Sequence, residues 1–128
     1  MAPGRVAPML LAGACLCASP PWVACAGEDP NRAQFVKSCG ACHATEPGAP
    51  PRRGPNLSGV YGREAGKLEG FKYSAALAGA DWTWDADHLD KWIENAQAMR
   101  PGVVMPYRQA DPEKRAKIIE YLKTLKVE

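Results

Sequence analysis

Apolar side chains recur with the period of an α-helix in two stretches of the second half of the chain. The first stretch predicts a helix over 85–98. The second predicts a helix that begins at Asp111, an N-cap residue followed by a proline in the first turn. The apolar stripe of the first helix comprises Leu89, Trp92, Ile93 and Ala96, and that of the second comprises Ile118, Ile119, Leu122 and Leu125.

Two more helices are predicted by the residues that flank them. Asp29 and the proline after it begin a helix that runs to about Gly40, with Phe35 and Val36 on its buried side. A short helix is predicted over 74–78, where a glycine follows it. No stretch alternates apolar and polar residues as a strand does, so the predicted fold class is all-α, with three main helices and one short helix.

The stretch between His43 and Tyr73 has no convincing periodic pattern and is rich in proline and glycine. About thirty residues of this kind are unusual inside a compact domain. The segment is therefore expected either to be disordered or to wrap around a bound group.

Residues 1–26 are typical of a secretory signal that is removed after export. Arg5 is the only charged residue among them, and the small residues Ala24 and Ala26 stand at the two positions that a signal peptidase inspects. The apolar run is well short of the roughly 18 to 20 residues needed to span a bilayer, so we expect no integral membrane span. The mature domain is predicted to be 27–128, exported to the periplasm.

Length and composition limit the function further. The 128 residues suffice for one domain, and 46% apolar with 23% charged residues argues against disorder of the whole chain. The formal net charge of +2 is too small for a protein that holds phosphate backbones, so nucleic acid is not an expected partner. Of the five cysteines, three would leave with the signal, and Cys39 and Cys42 would remain.

The two remaining cysteines belong to a Cys-x-x-Cys-His sequence that ends in His43, the signature of covalent c-type haem attachment. Two thiols one turn apart at a helix end can form thioethers with the two vinyl groups of one porphyrin. The adjacent imidazole can then bind the iron from the same side. A haem would also be the group that the long loop wraps.

The same residues allow three other interpretations. A thioredoxin-like dithiol would require a βαβ pattern, and none is visible. A structural zinc site would require a second pair of ligands, and His88 is the one further nitrogen or sulfur donor of the usual kind in the mature chain. A plain disulfide between Cys39 and Cys42 with a coincidental histidine is the third alternative.

From Phe35 to Leu125 the sequence resembles the class I cytochromes c of the mitochondrial and alphaproteobacterial type. The resemblance rests on several motifs at the spacing of that family, and it implies a small helical fold in which the first and last helices cross and loops enclose the haem. The matching stretches are 39–43, 54–59, 61–63, 70–74, Trp84, 101–105 and 115–122.

The resemblance, combined with ligand chemistry, implies roles for individual residues. Cys39 and Cys42 are the attachment thiols, and His43 is the proximal ligand. The Pro55 carbonyl should accept a hydrogen bond from the ring N–H of His43. Met105 is the expected sixth ligand, because a thioether is a soft donor and Met/His ligation raises the iron potential. The rival methionine, Met99, lies on a helical stretch, where it is expected to pack. Three further residues are implied to hydrogen-bond or neutralise the buried propionates: Arg63, Tyr73 and Trp84.

The sequence departs from the family near the sixth ligand and at the haem edge. Trp92 stands where a tyrosine is usual and Val103 where a threonine is usual, so both changes remove a hydroxyl and predict a drier pocket with a potential no lower than typical. The ring of lysines around the haem edge is also missing, which predicts weak, largely apolar partner contacts. The matching positions include Ser38, Pro50, Gln97, Ala98, Val104 and Asp111.

Together these features predict a soluble monohaem electron carrier, not an enzyme. We expect a monomer that forms transient complexes with redox protein partners, its donor and its acceptor. One alternative is a cytochrome subunit docked permanently on a periplasmic dehydrogenase or oxidase. Two others are an exported dithiol oxidoreductase and a five-coordinate gas binder or peroxidase, the last of which requires that Met105 does not ligate.

Overall fold

A computed structural model describes residues 27–126, and the predicted signal segment 1–26 lies outside the described residues. The described part is all-α, as predicted, with four helices and no β-strand apart from one isolated antiparallel bridge between Glu64 and Thr83. The helices are α1 (Pro30–Cys39), α2 (Ala75–Ala78), α3 (Ala86–Met99) and α4 (Pro112–Thr124).

Each helix follows a polar residue that acts as its N-cap, and for α1 and α4 this is the cap that the sequence predicts. The Asp29 carboxylate accepts a hydrogen bond from the Asn31 backbone N–H at 2.9 Å, and the other three caps make the same kind of bond. Each cap supplies an acceptor to an N–H that has no partner inside its helix, and this fixes where the helix starts. The remaining caps are Ser74 for α2, Asp85 for α3 and Asp111 for α4.

The core forms where α4 packs against both α1 and α3. Phe35 of α1 meets Tyr121 of α4 with ring centroids 4.8 Å apart, and the predicted stripes of α3 and α4 are buried except for Leu125, which is half-buried. The prediction that Val36 is buried is wrong, because its side chain is 49% exposed. One residue beyond Phe35 is about 100° further around the helix, which turns Val36 away from α4. The buried residues of the core are Phe35, Val60, Ala65, Ala80, Trp84, Leu89, Trp92, Ile93, Ala96, Val103, Ile118, Ile119 and Leu122.

Helix α3 contains a kink that the sequence pattern did not reveal. Asn95 has extended backbone angles (φ −164°, ψ 93°), and its side-chain oxygen accepts from the Ala98 N–H at 3.2 Å, as an N-cap would for the last turn. The Ile93 carbonyl, just before the kink, accepts from the backbone N–H of Gln109 at 2.9 Å. At the kink, α3 is therefore joined by a backbone hydrogen bond to the segment that follows it.

The long loop between His43 and Tyr73 is ordered by backbone hydrogen bonds to the segment before α3. The Gly62 N–H donates to the Trp84 carbonyl at 2.8 Å, and the Trp84 N–H donates to the Arg63 carbonyl at 2.9 Å. The Ala65 N–H donates to the Trp82 carbonyl at 2.9 Å. Of the two alternatives for this segment, disorder is therefore wrong. Across the described residues, no helix combines the length and the apolar character that crossing a membrane requires.

Candidate functional site

Helix α1 ends at the first residue of the Cys-x-x-Cys-His sequence, and a tight turn follows. The backbone N–H groups of Cys42 and His43 both donate to the Cys39 carbonyl, at 3.1 and 3.0 Å. Both thiols are half-buried and neither takes part in a disulfide. The turn therefore keeps two free thiols and an imidazole close together in the order that the motif requires.

The electrostatic environment of Cys39 favours its neutral thiol. Burial raises the pKa of Cys39 to about 12, and the neighbouring Cys42 acts in the same direction. The thiol also lies at the C-terminal end of α1, where the helix dipole disfavours a negative charge. Redox dithiols work as thiolates stabilised by a helix N-terminus or a nearby cation, so this position is the reverse of what a dithiol oxidoreductase needs.

The His43 ring is fixed by a backbone acceptor. Its Nδ1 lies 2.8 Å from the Pro55 carbonyl oxygen, which can only accept, so Nδ1 carries the proton and Nε2 keeps its lone pair. Burial lowers the pKa of His43, while the bond to Pro55 opposes that shift. Histidine binds metals as the neutral imidazole, and a hydrogen bond from its second nitrogen orients the ring and raises its basicity.

Gly54 makes room for this arrangement. A Cβ atom at Gly54 would overlap the His43 ring, and the Gly54 N–H donates to the Cys42 carbonyl at 2.9 Å. The glycine thus lets the loop cross directly over the imidazole while Pro55, the next residue, supplies the acceptor.

Met105 is in contact with Trp92, the residue that stands where the family usually has a tyrosine. The Trp92 indole Nε1 donates to the Met105 Sδ at 3.2 Å. The expectation that tryptophan at this position removes polarity beside the sulfur is therefore wrong, because the indole N–H supplies a donor in place of the hydroxyl. Val103, by contrast, is a buried aliphatic side chain with no polar atom to offer.

The segment that carries Met105 is held at its far end by a residue whose role sequence reasoning missed. Arg115 of α4 is buried and donates to the carbonyls of Gln109 and Ala110, at 3.0 and 2.9 Å, and to Asp90 of α3 at 2.7 Å. A buried arginine needs such partners. Arg115 lies at the polar edge of the α4 stripe, and the residues next to it in the sequence do not indicate these partners.

Arg63 lies near both Tyr73 and Trp84. The Arg63 guanidinium donates to the Ser58 and Asn56 carbonyls, both at 3.1 Å. Burial lowers the pKa of Arg63, and the charge interaction with Tyr73 opposes this by raising it. Burial raises the pKa of Tyr73, and the charge interaction with Arg63 opposes this by lowering it. Trp84 is buried and hydrogen-bonded through its backbone to Arg63. Their predicted role as propionate partners stays a prediction.

The donor set fits a c-type haem. Two free thiols can form the two covalent bonds to such a haem, and a neutral imidazole with one available nitrogen and a thioether are both groups that can bind its iron. Among residues 27–126, no three His, Cys, Asp or Glu side chains converge as the ligands of a metal ion would.

Comparison with known proteins gives a consistent result. The model of the family "Cytochrome c" matches residues 31–126. The chain is 43% identical over 95 residues to the cytochrome c homolog of Bradyrhizobium diazoefficiens, covering 73% of this chain but only 52% of that protein. It is 38% identical over 111 residues to cytochrome c-550 of Novispirillum itersonii, which it spans completely with 78% of its own length.

The alignment with a third relative covers similar shares of both proteins. Cytochrome c2 of Rhodomicrobium vannielii is 39% identical over 100 residues, which is 77% of this chain and 80% of the relative. The chain therefore belongs to the cytochrome c family, whose members carry electrons rather than act as enzymes and hold a covalent haem c through a Cys-x-x-Cys motif, here that of Cys39 and Cys42.

Proposed function

We propose that this protein is a freely diffusing carrier of single electrons, in which His43 and Met105 would bind the haem iron. The observation that carries the proposal is the fixed His43 ring, which follows the attachment cysteines directly and keeps Nε2 available while Nδ1 donates to Pro55. Met105 supports it, because its sulfur is already held by the Trp92 indole.

When bound, the haem would supply an iron that can take up and release one electron, and the protein's own residues would set how readily it does so. A thioether and an imidazole together as ligands would favour the reduced state. The Trp92 N–H acts in the same direction, because a hydrogen bond draws electron density from the Met105 sulfur and makes it a weaker donor to Fe(III). Both ligand side chains are held by protein contacts, so the site need change little when an electron arrives or leaves.

Arg63, Tyr73 and Trp84 would then face the haem propionates. Their proximity supports this role, since a cation, a phenol and an indole offer N–H and O–H donors to a carboxylate. Tyr73 keeps its proton, because burial raises its pKa, and remains a donor at physiological pH.

We further propose that 1–26 is a signal that is removed on export and that the carrier works in the periplasm. The support is the single charge, the short apolar run and the small residues before position 27. N-terminal sequencing of the exported protein tests this, and a chain that still begins at Met1 would contradict it.

Partner docking is proposed to rely on apolar contact rather than on charge steering. Val104, next to the proposed sixth ligand, is 80% exposed. We expect electron-transfer rates with acidic redox partners to change by less than about threefold between 20 and 200 mM salt, because strongly steered encounters are the ones that fall steeply with ionic strength. Stopped-flow measurement checks this. A tenfold or greater decrease would contradict it.

The carrier is distinguished from its alternatives by ligand binding and by size. A six-coordinate carrier should not bind carbon monoxide in its ferrous state, whereas a five-coordinate gas binder binds it immediately. Size-exclusion chromatography of a native extract should place the haem absorbance at the volume of a small monomer. Carbon monoxide binding without denaturant, or elution only with a much larger complex, would overturn the proposal.

A further inference from the structure

The stretch from Arg100 to Met105 leads from the end of α3 to the proposed sixth ligand through a stiff turn. Pro101 and Gly102 occupy its two central positions, Gly102 with φ +93°, and the Val103 N–H donates to the Arg100 carbonyl at 3.4 Å. Val103 is then buried in the core. Because this turn has little freedom, the position of Arg100 determines where the ligand segment starts, a name we use for residues 100–111, which join α3 to α4 and carry Met105.

The Arg100 side chain fixes that position on α2. Its Nε donates to the Ala76 carbonyl at 2.9 Å and its Nη2 donates to the Gly79 carbonyl at 3.2 Å. Its guanidinium carbon lies 5.9 Å from the centroid of the Trp82 ring. A planar guanidinium suits this task because it can donate to two acceptors and contact an aromatic face at the same time.

The same segment approaches α2 closely at a second point. A Cβ atom on Gly102 would lie 3.2 Å from the Ala76 Cβ, so the turn rests against the short helix. A second cation bonds α2 from elsewhere: Lys67, in the long loop, donates through Nζ to the Ala78 carbonyl at 2.8 Å. Lys67 therefore makes a comparable contact with α2 without belonging to the ligand segment.

We propose that Arg100 is a positioning residue for Met105, which resists displacement of the sulfur by fastening the start of the ligand segment to α2 and Trp82. The proposal rests on the proposed function, in which Met105 is the sixth ligand. When an external imidazole replaces the sulfur, one coordinate bond breaks, another forms, and the iron keeps its oxidation state. The segment must then move, and the contacts of Arg100 oppose that movement.

The test is an imidazole titration of the ferric holoprotein, followed by loss of the sulfur-to-iron charge-transfer band. The variants are Arg100→Gln and, as a matched control, Lys67→Met. Arg100→Gln is expected to increase the apparent imidazole affinity about tenfold, because charge-assisted hydrogen bonds from the ligand segment are lost. The imidazole affinity of Lys67→Met should stay within about twofold of that of the parent, because the change is on the surface and outside the ligand segment.

Arg100→Lys provides a second variant that keeps the charge and supports folding if the glutamine variant does not fold. Its ammonium lacks the planar fork with which the guanidinium donates to two carbonyls and contacts Trp82, so we expect an imidazole affinity between those of the parent and Arg100→Gln. Urea unfolding of all variants separates ligand release from general destabilisation.

The proposal is overturned if neither arginine variant changes the affinity, or if Lys67→Met increases it as much as Arg100→Gln. A parent protein that lacks the charge-transfer band would instead refute Met105 ligation, so the two failures are distinguishable.

Discussion

Replacing Met105 with alanine is expected to abolish the sulfur-to-iron charge-transfer band of the ferric protein and to lower the midpoint potential by on the order of 0.2 V, within the roughly 0.8 V range that axial ligands command. The thioether is lost, and a water oxygen that favours Fe(III) can take its place. The variant should also bind carbon monoxide in its ferrous state. Spectroelectrochemistry and a carbon monoxide difference spectrum measure all three effects.

Trp92→Phe is the matched control, because it removes the donor to the sulfur and leaves the ligand itself. The potential shifts only by the part of this hydrogen bond's energy that differs between the two oxidation states, so a bond of about 0.5–1.5 kcal/mol limits the decrease to at most about 60 mV for a one-electron couple. The band should persist. If Met105→Ala retained the band and the parent potential, another side chain would be the ligand, and the rival Met99 would be the first to replace.

Arg115→Met should lower the free energy of unfolding by about 2–4 kcal/mol, since it leaves two backbone carbonyls without their charged donor. Those carbonyls belong to Gln109 and Ala110, at the far end of the ligand segment. Asp90 contributes little to the cost because its side chain is 42% exposed and can hydrate, whereas the Arg115 side chain is only 8% exposed. Urea unfolding at constant pH measures the change.

Arg108→Met serves as the control for Arg115→Met, because Arg108 is an exposed arginine in the ligand segment itself. Its replacement is expected to change the free energy of unfolding by less than about 0.5 kcal/mol. Equal losses for the two variants would show that removing a positive charge, rather than releasing the two carbonyls, is what destabilises the fold.

Features that depend on neighbouring residues could be predicted from the sequence. The four caps are local, since each side chain accepts from an N–H two or three residues further along. The stripe of α3 was also predictable, because a helix that buries one face imposes its period on the sequence. The Cys-x-x-Cys-His motif is local for the same reason: both thiols and the imidazole must reach one group from one turn of chain.

Features that depend on distant residues could not be predicted. Val36 shares an apolar character with Phe35, and the position of α4 alone decides which of them is buried. The donor beside Met105 comes from Trp92, 13 residues earlier in the chain. Arg100 bonds a carbonyl 24 residues away. The polar contacts that hold the ligand segment therefore became visible only once the helices were placed in space.

Electron transfer by a haem held between His43 and Met105 is tested most directly by a redox titration of the purified holoprotein, followed by its optical spectrum. We expect a single Nernstian transition of one electron with a positive midpoint potential. The charge-transfer band of Met105 should be present in the oxidised state and disappear in step with reduction. A clearly negative midpoint, or an oxidised spectrum without that band, would contradict a carrier whose haem is held between His43 and Met105.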